Sequence, residues 1–81
     1  PDVLSDKYSR VLKDAVISMN IGQNIVVVKT IPGMAMAAAA ALDAMKWPEI
    51  LGSIAGDDTV FIALPNKEAV ITLLERFKNY R

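Results

Sequence analysis

The sequence predicts an α+β two-layer sandwich, in which helices lie on one face of a mostly antiparallel, four-stranded sheet. Four short runs show the alternation or the β-branching of strands, and a turn signal separates the members of each pair of runs. An alanine-rich run lies between the two pairs, and an amphipathic run follows the second pair. The predicted order is therefore strand, strand, helix, strand, strand, helix, after a short N-terminal helix.

The chain has 81 residues, which is enough for one small domain. Residues 1–10 are polar and of mixed charge, and we expect them to be the end of an interdomain linker and the start of a short helix. Helical spacing supports that helix at Leu4, Tyr8, Val11 and Leu12. Residues 11–81 are expected to form the domain itself. Because the chain begins at a proline and not at methionine, we expect it to be part of a longer protein.

The first pair of strands is predicted at residues 15–21 and 25–31. In the first strand Ile17, Met19 and Ile21 alternate with polar residues, which is typical of a half-buried strand. The second strand is β-branched almost throughout. A turn containing glycine and asparagine separates them, so we expect a hairpin.

The central helix is predicted at residues 34–45, after Pro32 and Gly33 interrupt the second strand. Twelve residues rise only about 18 Å as a helix, which is too short to cross a hydrocarbon layer of about 30 Å. We therefore expect a buried helix and no membrane span. Pro48 prevents its continuation. The large apolar residues around this helix indicate packing, at the core or at an interface; they are Met34, Met36, Met45 and Trp47.

The second pair of strands is predicted at residues 50–55 and 59–64, joined by a tight turn over residues 56–58. Asn66 is a suitable N-cap for the last helix. The buried face of that helix is expected to carry the apolar residues with i, i+3, i+4, i+7 spacing, which are Val70, Leu73, Leu74 and Phe77.

The composition excludes several kinds of chemistry. The sequence contains no cysteine, so a disulfide, a thiol nucleophile and a thiolate metal site are impossible. It contains no histidine, the commonest general acid or base. Nine basic and nine acidic residues give a net charge of zero, which argues against a nucleic-acid-binding surface on this chain. Hydrophobic residues make up 53% of the chain, more than a small core needs, which indicates burial against other subunits.

Adjacent carboxylates at Asp57 and Asp58 are the first candidate site. Aspartate and glycine are ordinary turn formers, so a solvated hairpin turn explains them without any function. The functional alternative is a cation site, since two carboxylates can accept a guanidinium in bidentate fashion. A divalent metal is less well supported, because no spaced acidic loop surrounds the pair.

Two further features have a structural and a functional interpretation each. Pro32 and Gly33 suit a strand-to-helix turn, but the N–H groups at a helix start can also receive a carboxylate. Asp43 is the only charged residue in the alanine-rich run, either on a surface edge or buried beside a cationic partner. No pattern assigns a role to Lys29.

Two segments closely resemble the C-terminal domain of bacterial arginine repressors. The first is KTIPG at residues 29–33, followed by the alanine-rich helix, and the second is WPEILGSIAGDDTVFI at residues 47–62. The resemblance extends from about residue 12 to residue 77, and residues 52–59 are its most specific part.

The resemblance implies the ligand-sensing and oligomerisation domain of a cytoplasmic, arginine-dependent transcriptional repressor. It implies trimers that stack in pairs as hexamers, with L-arginine bound as corepressor where two trimers meet. It further implies regulation of genes for arginine biosynthesis and catabolism, through a DNA-binding winged helix that is absent from this chain. No enzyme activity, metal, other cofactor or membrane partner is expected.

The resemblance also implies a set of pocket residues, which are Asp57, Asp58, Asp43, Met36, Ser53, Ala55 and Thr59. Asp57 and Asp58 match the acidic pair that holds the guanidinium, and Asp43 matches a helix acid lining the pocket. Ser53 stands where the family usually has threonine and keeps the hydroxyl group. Met36 departs from the family, which usually has glutamine or histidine there; a thioether cannot replace their hydrogen bonds to the ligand.

Two alternatives to arginine sensing stay open at this point. The chain can be a structural assembly module that has lost its ligand, for which Met36 is the only support. It can also be a small enzyme on a similar sandwich, with Asp57 or Asp58 as acid or base. The absence of histidine makes the enzyme the weaker alternative.

Overall fold

The computed structural model describes residues 3–80 of the chain, and the side chains of residues 7–78. In chain order the elements are α1 (Val3–Ala15), β1 (Val16–Gly22), β2 (Ile25–Thr30), α2 (Ala35–Met45), β3 (Gly52–Ala55), β4 (Thr59–Ala63) and α3 (Lys67–Tyr80). Residues 1–2 of the expected linker and the side chain of Leu4 lie outside the described part. The expected domain boundary between residues 10 and 11 falls within α1.

The sheet confirms the predicted fold class. Its strand order is β1-β2-β4-β3, and every neighbouring pair is antiparallel. The pairs β1–β2 and β3–β4 are the two predicted hairpins, and pairing of β2 with β4 joins them. In that central pair Val28 lies opposite Val60, and Val26 lies opposite Ile62. The two hairpins therefore form one continuous sheet.

One face of this sheet, the covered face, carries the helices. Val26 and Val28 on β2 and Val60 and Ile62 on β4 point to this face and are fully buried. Helix α2 contacts β2, β3 and β4, and α1 contacts both α2 and α3. Because successive side chains of a strand point to opposite faces, the alternate residues of β2 and β4 point away from all three helices.

Helix α3 closes the core as its sequence predicts. The side chain of Asn66 caps the helix, since its Oδ1 accepts the N–H of Ala69 at 2.9 Å. Val70, Leu73 and Phe77 are buried in the core, and Leu74 packs partly against it. The ring of Phe77 meets Trp47 edge to face at 5.6 Å, so α3 and the segment after α2 share one aromatic contact.

Several local details differ from the prediction, and the strand ends at residues 15, 31 and 64 each differ by one residue. The simple alternation expected in β1 is interrupted by a bulge between Val16 and Ser18, which leaves Ile17 exposed. Helix α2 begins one residue later than expected, because the backbone at Met34 is not helical. Strand β3 begins at Gly52 and not at residue 50, because the N–H of Ile50 bonds the carbonyl of Trp47 in a turn.

The other face of the sheet, the open face, is apolar and uncovered within the described residues. Val27, Phe61 and Ile54 lie side by side across β2, β4 and β3. Phe61 is 54% exposed and Ile54 is 78% exposed. A row of large apolar side chains that crosses three strands is typical of a surface that packs against another molecule. No helix in the described part is long and apolar enough to cross a membrane.

Candidate ligand-binding site

The acidic pair lies in a short turn between the two strands of the second hairpin. The N–H of Gly56 donates to the carbonyl of Thr59 at 2.8 Å and closes this turn. The side chain of Asp57 is exposed, and about half of the Asp58 side chain is exposed. Both carboxylates are therefore accessible to a ligand.

Three backbone hydrogen bonds fasten this acidic turn, residues 56–58, to residues 30–35, which run from the end of β2 to the start of α2. The N–H of Thr30 donates to the carbonyl of Asp58 at 2.8 Å, and the N–H groups of Gly33 and Ala35 each donate to the carbonyl of Asp57 at 3.1 Å. Gly33 has a φ of +84°, a conformation that favours glycine. The carboxylates thus project from a backbone whose position is set by the start of α2.

Fewer backbone N–H groups are available to a ligand at the start of α2 than a helix start usually offers. The N–H of Met34 bonds the carbonyl of Ile31, and the N–H of Ala35 is taken by the acidic turn. For Met36 and Ala37, none of the described residues accepts a hydrogen bond from the backbone N–H. Two donors at the helix start, rather than four, therefore remain for an anionic group.

A lysine that sequence reasoning left unassigned lies next to Asp58. The Nζ of Lys29 donates to Thr59 Oγ1 at 2.8 Å, and this hydroxyl donates to Asp58 Oδ1 at 2.9 Å. The Nζ of Lys29 also lies 3.8 Å from Asp58 Oδ1. Lys29 and Thr59 are direct partners across β2 and β4. Only that pairing, which joins residues 30 positions apart, could have revealed this contact.

Ser53 and Ala55 lie on β3, which is an edge strand of the sheet. Each is half-buried and lies opposite a fully buried residue of β4, so both point to the covered face, where α2 packs. Among the described residues nothing hydrogen-bonds the hydroxyl of Ser53. Ala55 directly precedes the acidic turn, and Ser53 lies two residues before it on the same face of β3.

Met36 and Asp43 lie seven residues apart on α2, which places them on the same exposed side of the helix. Met36 directly follows Ala35, whose N–H bonds the acidic turn, and Met36 is 73% exposed. Asp43 lies about 10 Å further along the helix axis. It borders a small surface cavity of about 190 Å³ together with Lys46 and Trp47. Met36 is therefore the sequence neighbour of a residue that bonds the acidic turn, whereas Asp43 lies about two turns further along α2.

The charges of Asp57, Asp58 and Lys29 favour binding of a singly charged organic cation over binding of a metal ion. Among the residues that the structure describes, no three acidic side chains are grouped so that they could hold a metal ion. Asp57 and Asp58 carry two negative charges, and Lys29 offsets one of them. Apart from the Lys29 and Thr59 contacts, the two carboxylates accept no hydrogen bond from the described residues. Their free oxygens suit a planar, multiple donor such as a guanidinium.

Comparison with known proteins gives one consistent result. The family described as arginine repressor, C-terminal domain, matches residues 12–79 of this chain. An arginine repressor of Lachnospira eligens is 50% identical over 76 residues, which cover 94% of this chain and 50% of that protein.

Two further relatives carry the same name. The arginine repressor of Lachnoclostridium phytofermentans is 49% identical over 73 residues, covering 90% of this chain and 48% of that protein. The arginine repressor of Caldicellulosiruptor saccharolyticus is 43% identical over 75 residues, covering 93% of this chain and 49% of that protein. This chain therefore spans about half the length of the curated relatives it matches.

Proposed function

The chain belongs to the family of arginine repressor C-terminal domains, and from that premise we propose that it binds L-arginine as a corepressor and assembles with copies of itself. The observation that carries the proposal is the acidic turn, in which Asp57 and Asp58 are exposed on a backbone fixed by three hydrogen bonds. A fixed pair of acceptors loses little freedom on binding, so its charge-assisted bonds contribute more to affinity.

In this proposal the two ends of arginine are recognised by different elements. The guanidinium bonds Asp57 and Asp58. Thr59, which bonds Asp58, lies on the open-face side of the acidic turn. Ser53 and Ala55 lie on its covered-face side. The α-carboxylate bonds backbone donors at the start of α2. The free N–H groups of Met36 and Ala37 and the positive end of the helix dipole support this assignment.

Asp43 enters the proposal through a second subunit. It lies about 10 Å along α2 from Met36, a separation that puts it at the far end of the exposed helix side. An exposed carboxylate without an ion pair in the described residues can face a ligand held by a neighbouring copy. The pocket is then shared between subunits, and arginine links them.

The assembly we propose is a trimer that pairs with a second trimer. The open face of the sheet, with Val27, Phe61 and Ile54 across three strands, supports one self-association surface. The exposed side of α2 with the acidic turn supports the other, at which arginine binds between trimers. A ligand that contacts both subunits favours the assembled state, and assembly raises the affinity for the ligand by the same factor.

The role of the whole protein is also proposed. Because the relatives are about twice as long as this chain, we assign binding of operator DNA to their remaining half and not to this neutral domain. The target genes are those of arginine biosynthesis and catabolism, in the cytoplasm of a bacterium. Arginine repressors are transcription regulators, so the chain is not an enzyme.

A second candidate function is a structural assembly module with weakened or lost arginine sensing. Met36 favours it, because this residue is exposed near the start of α2 and its thioether cannot donate a hydrogen bond. Replacing Met36 with glutamine tests it. A large gain in arginine affinity in Met36→Gln would indicate that the native site is weakened.

Calorimetric titration with L-arginine tests the proposal itself. We expect the native chain to release or absorb heat that saturates, and Asp58→Asn to lose at least about tenfold in affinity, because a neutral amide replaces a charged acceptor. Glu68→Asn, at an exposed acid in the first turn of α3, is the matched control and should bind normally. Full affinity in Asp58→Asn would contradict the assignment of the acidic turn.

A further inference from the structure

The ammonium group of Lys29 already occupies the sheet side of the acidic turn. It bonds the hydroxyl of Thr59 at 2.8 Å and lies 3.8 Å from Asp58 Oδ1. About half of each of the two charged side chains is exposed, so this ion pair is accessible to a competing ligand. The chain thus provides its own cation beside the acid that is proposed to bind a ligand cation.

The hydrogen bonds in this contact have a defined direction. A hydroxyl group has one proton, and Thr59 uses it towards Asp58 Oδ1, so its oxygen accepts from Lys29. Asp58 Oδ1 therefore has a neutral donor and a nearby positive charge. The second oxygen of Asp58 and both oxygens of Asp57 accept no hydrogen bond from the described residues.

We propose that Lys29 is a specificity-determining residue, which makes the acidic turn select a guanidinium over an ammonium ligand. This inference rests on the proposed function, because it concerns which cation the same site accepts. An ammonium is a compact point charge with the same donors as Lys29. A ligand ammonium therefore competes for a position that a tethered ammonium already fills at high effective concentration.

A guanidinium is not excluded in the same way. Its donors form a flat fork that bonds two carboxylate oxygens at once, and the oxygens left free by Lys29 can accept it. It gains contacts that a point charge cannot make, so it binds beside Lys29 rather than in its place. Lys29 then lowers the affinity for both cations, and lowers it more for the ammonium.

Calorimetry on the full chain with L-arginine and L-lysine as separate ligands tests this inference. In Lys29→Met, which keeps most of the apolar stem, we expect arginine to bind about threefold more tightly, since one exposed positive neighbour is removed. We expect L-lysine to bind at least about tenfold more tightly. Its ammonium loses the same positive neighbour and can also occupy the position that the Lys29 ammonium held beside Asp58. The preference for arginine over lysine should fall by about threefold or more.

Lys67→Met is the matched control. Lys67 opens α3 and borders a cavity with Gln23 and Asn24, at the end of the sheet opposite to Lys29. The same loss of charge there should leave both affinities and their ratio unchanged. Lys29→Gln repeats the test with a polar side chain, and thermal unfolding of each variant verifies that it is folded.

The outcomes separate the inference from the proposed function. If the native chain binds arginine and Lys29→Met keeps the native preference over lysine, or weakens both ligands equally, the inference is overturned and arginine sensing stands. Such an equal loss would mean that Lys29 only holds β2 to β4. If neither the native chain nor Lys29→Met binds arginine, both the inference and the proposed function are overturned. Arginine binding only after Lys29→Met would also overturn the inference, because Lys29 would then exclude the guanidinium instead of admitting it beside itself.

Discussion

The two faces of the sheet carry side chains of similar size and polarity in opposite surroundings. On the covered face Val28, Val60 and Ile62 are fully buried beneath the helices. On the open face Phe61 and Ile54, both from the second hairpin, are more than half exposed. Val60, Phe61 and Ile62 of β4 are thus alternately buried and exposed although all three are apolar. An apolar residue in these strands therefore does not by itself indicate the core of one subunit.

This difference explains the high apolar content of a short chain. In this chain of 81 residues, 53% of which are hydrophobic, large apolar residues such as Phe61 and Ile54 stay exposed on the subunit. The covered face stabilises the fold of one subunit. In our account the open face stabilises the assembly, so substitutions on the two faces should have separable effects.

Substitution on the covered face should have the largest effect on folding. Ile62→Ala removes a fully buried side chain and leaves a cavity, which should cost about 2–5 kcal/mol of unfolding free energy. Urea denaturation at one fixed protein concentration measures it. A loss below about 1 kcal/mol would mean that the covered face is not the core of the subunit.

An intermediate effect is expected where the acidic turn is fastened. Gly33→Ala introduces a side chain at a φ of +84°, with nothing within 4 Å of the new Cβ, so conformational strain alone should cost about 1–2 kcal/mol. Urea denaturation and arginine calorimetry should both show a loss. Gly52→Ala, also in open space but without a positive φ, is the control. Equal stability of the two variants would contradict the strained conformation.

The smallest effect on folding, and the largest on assembly, is expected on the open face. Ile54→Thr keeps a β-branched side chain in a strand and should change the unfolding free energy of the subunit by only about 0.5 kcal/mol. Light scattering should nevertheless report smaller assemblies. The same replacement at the exposed Ile71 of α3 is the control and should leave the assembly unchanged. Native-sized assemblies of Ile54→Thr would show that the open face is not an interface.

The parts of the fold that depend on neighbouring residues could be predicted from the sequence. The two hairpins, the N-cap at Asn66 and the buried side of α3 follow from turn residues and spacing. The pairing of β2 with β4 could not be predicted, because it joins residues 30 or more positions apart through the register of two hairpins. The bulge that exposes Ile17 leaves no signal in an alternating pattern.

In the candidate site, too, features set by neighbouring residues could be predicted, and a contact made by distant residues could not. The adjacent Asp57 and Asp58 are visible as a local concentration of charge, and the strand break at Gly33 is visible as a turn signal. Lys29 has no such local signal. Its contact with Thr59 and Asp58 exists only because β2 and β4 pair, so sequence reasoning left it unassigned.

Sedimentation velocity of the chain with L-arginine, and with L-citrulline at the same concentration, tests the central claim most directly. Citrulline matches arginine closely in shape but has no positive charge for Asp57 and Asp58 to bind. We predict that arginine shifts the chain to a larger assembly and that citrulline leaves its sedimentation unchanged. Identical sedimentation in both ligands would contradict the claim that the acidic turn couples arginine binding to assembly.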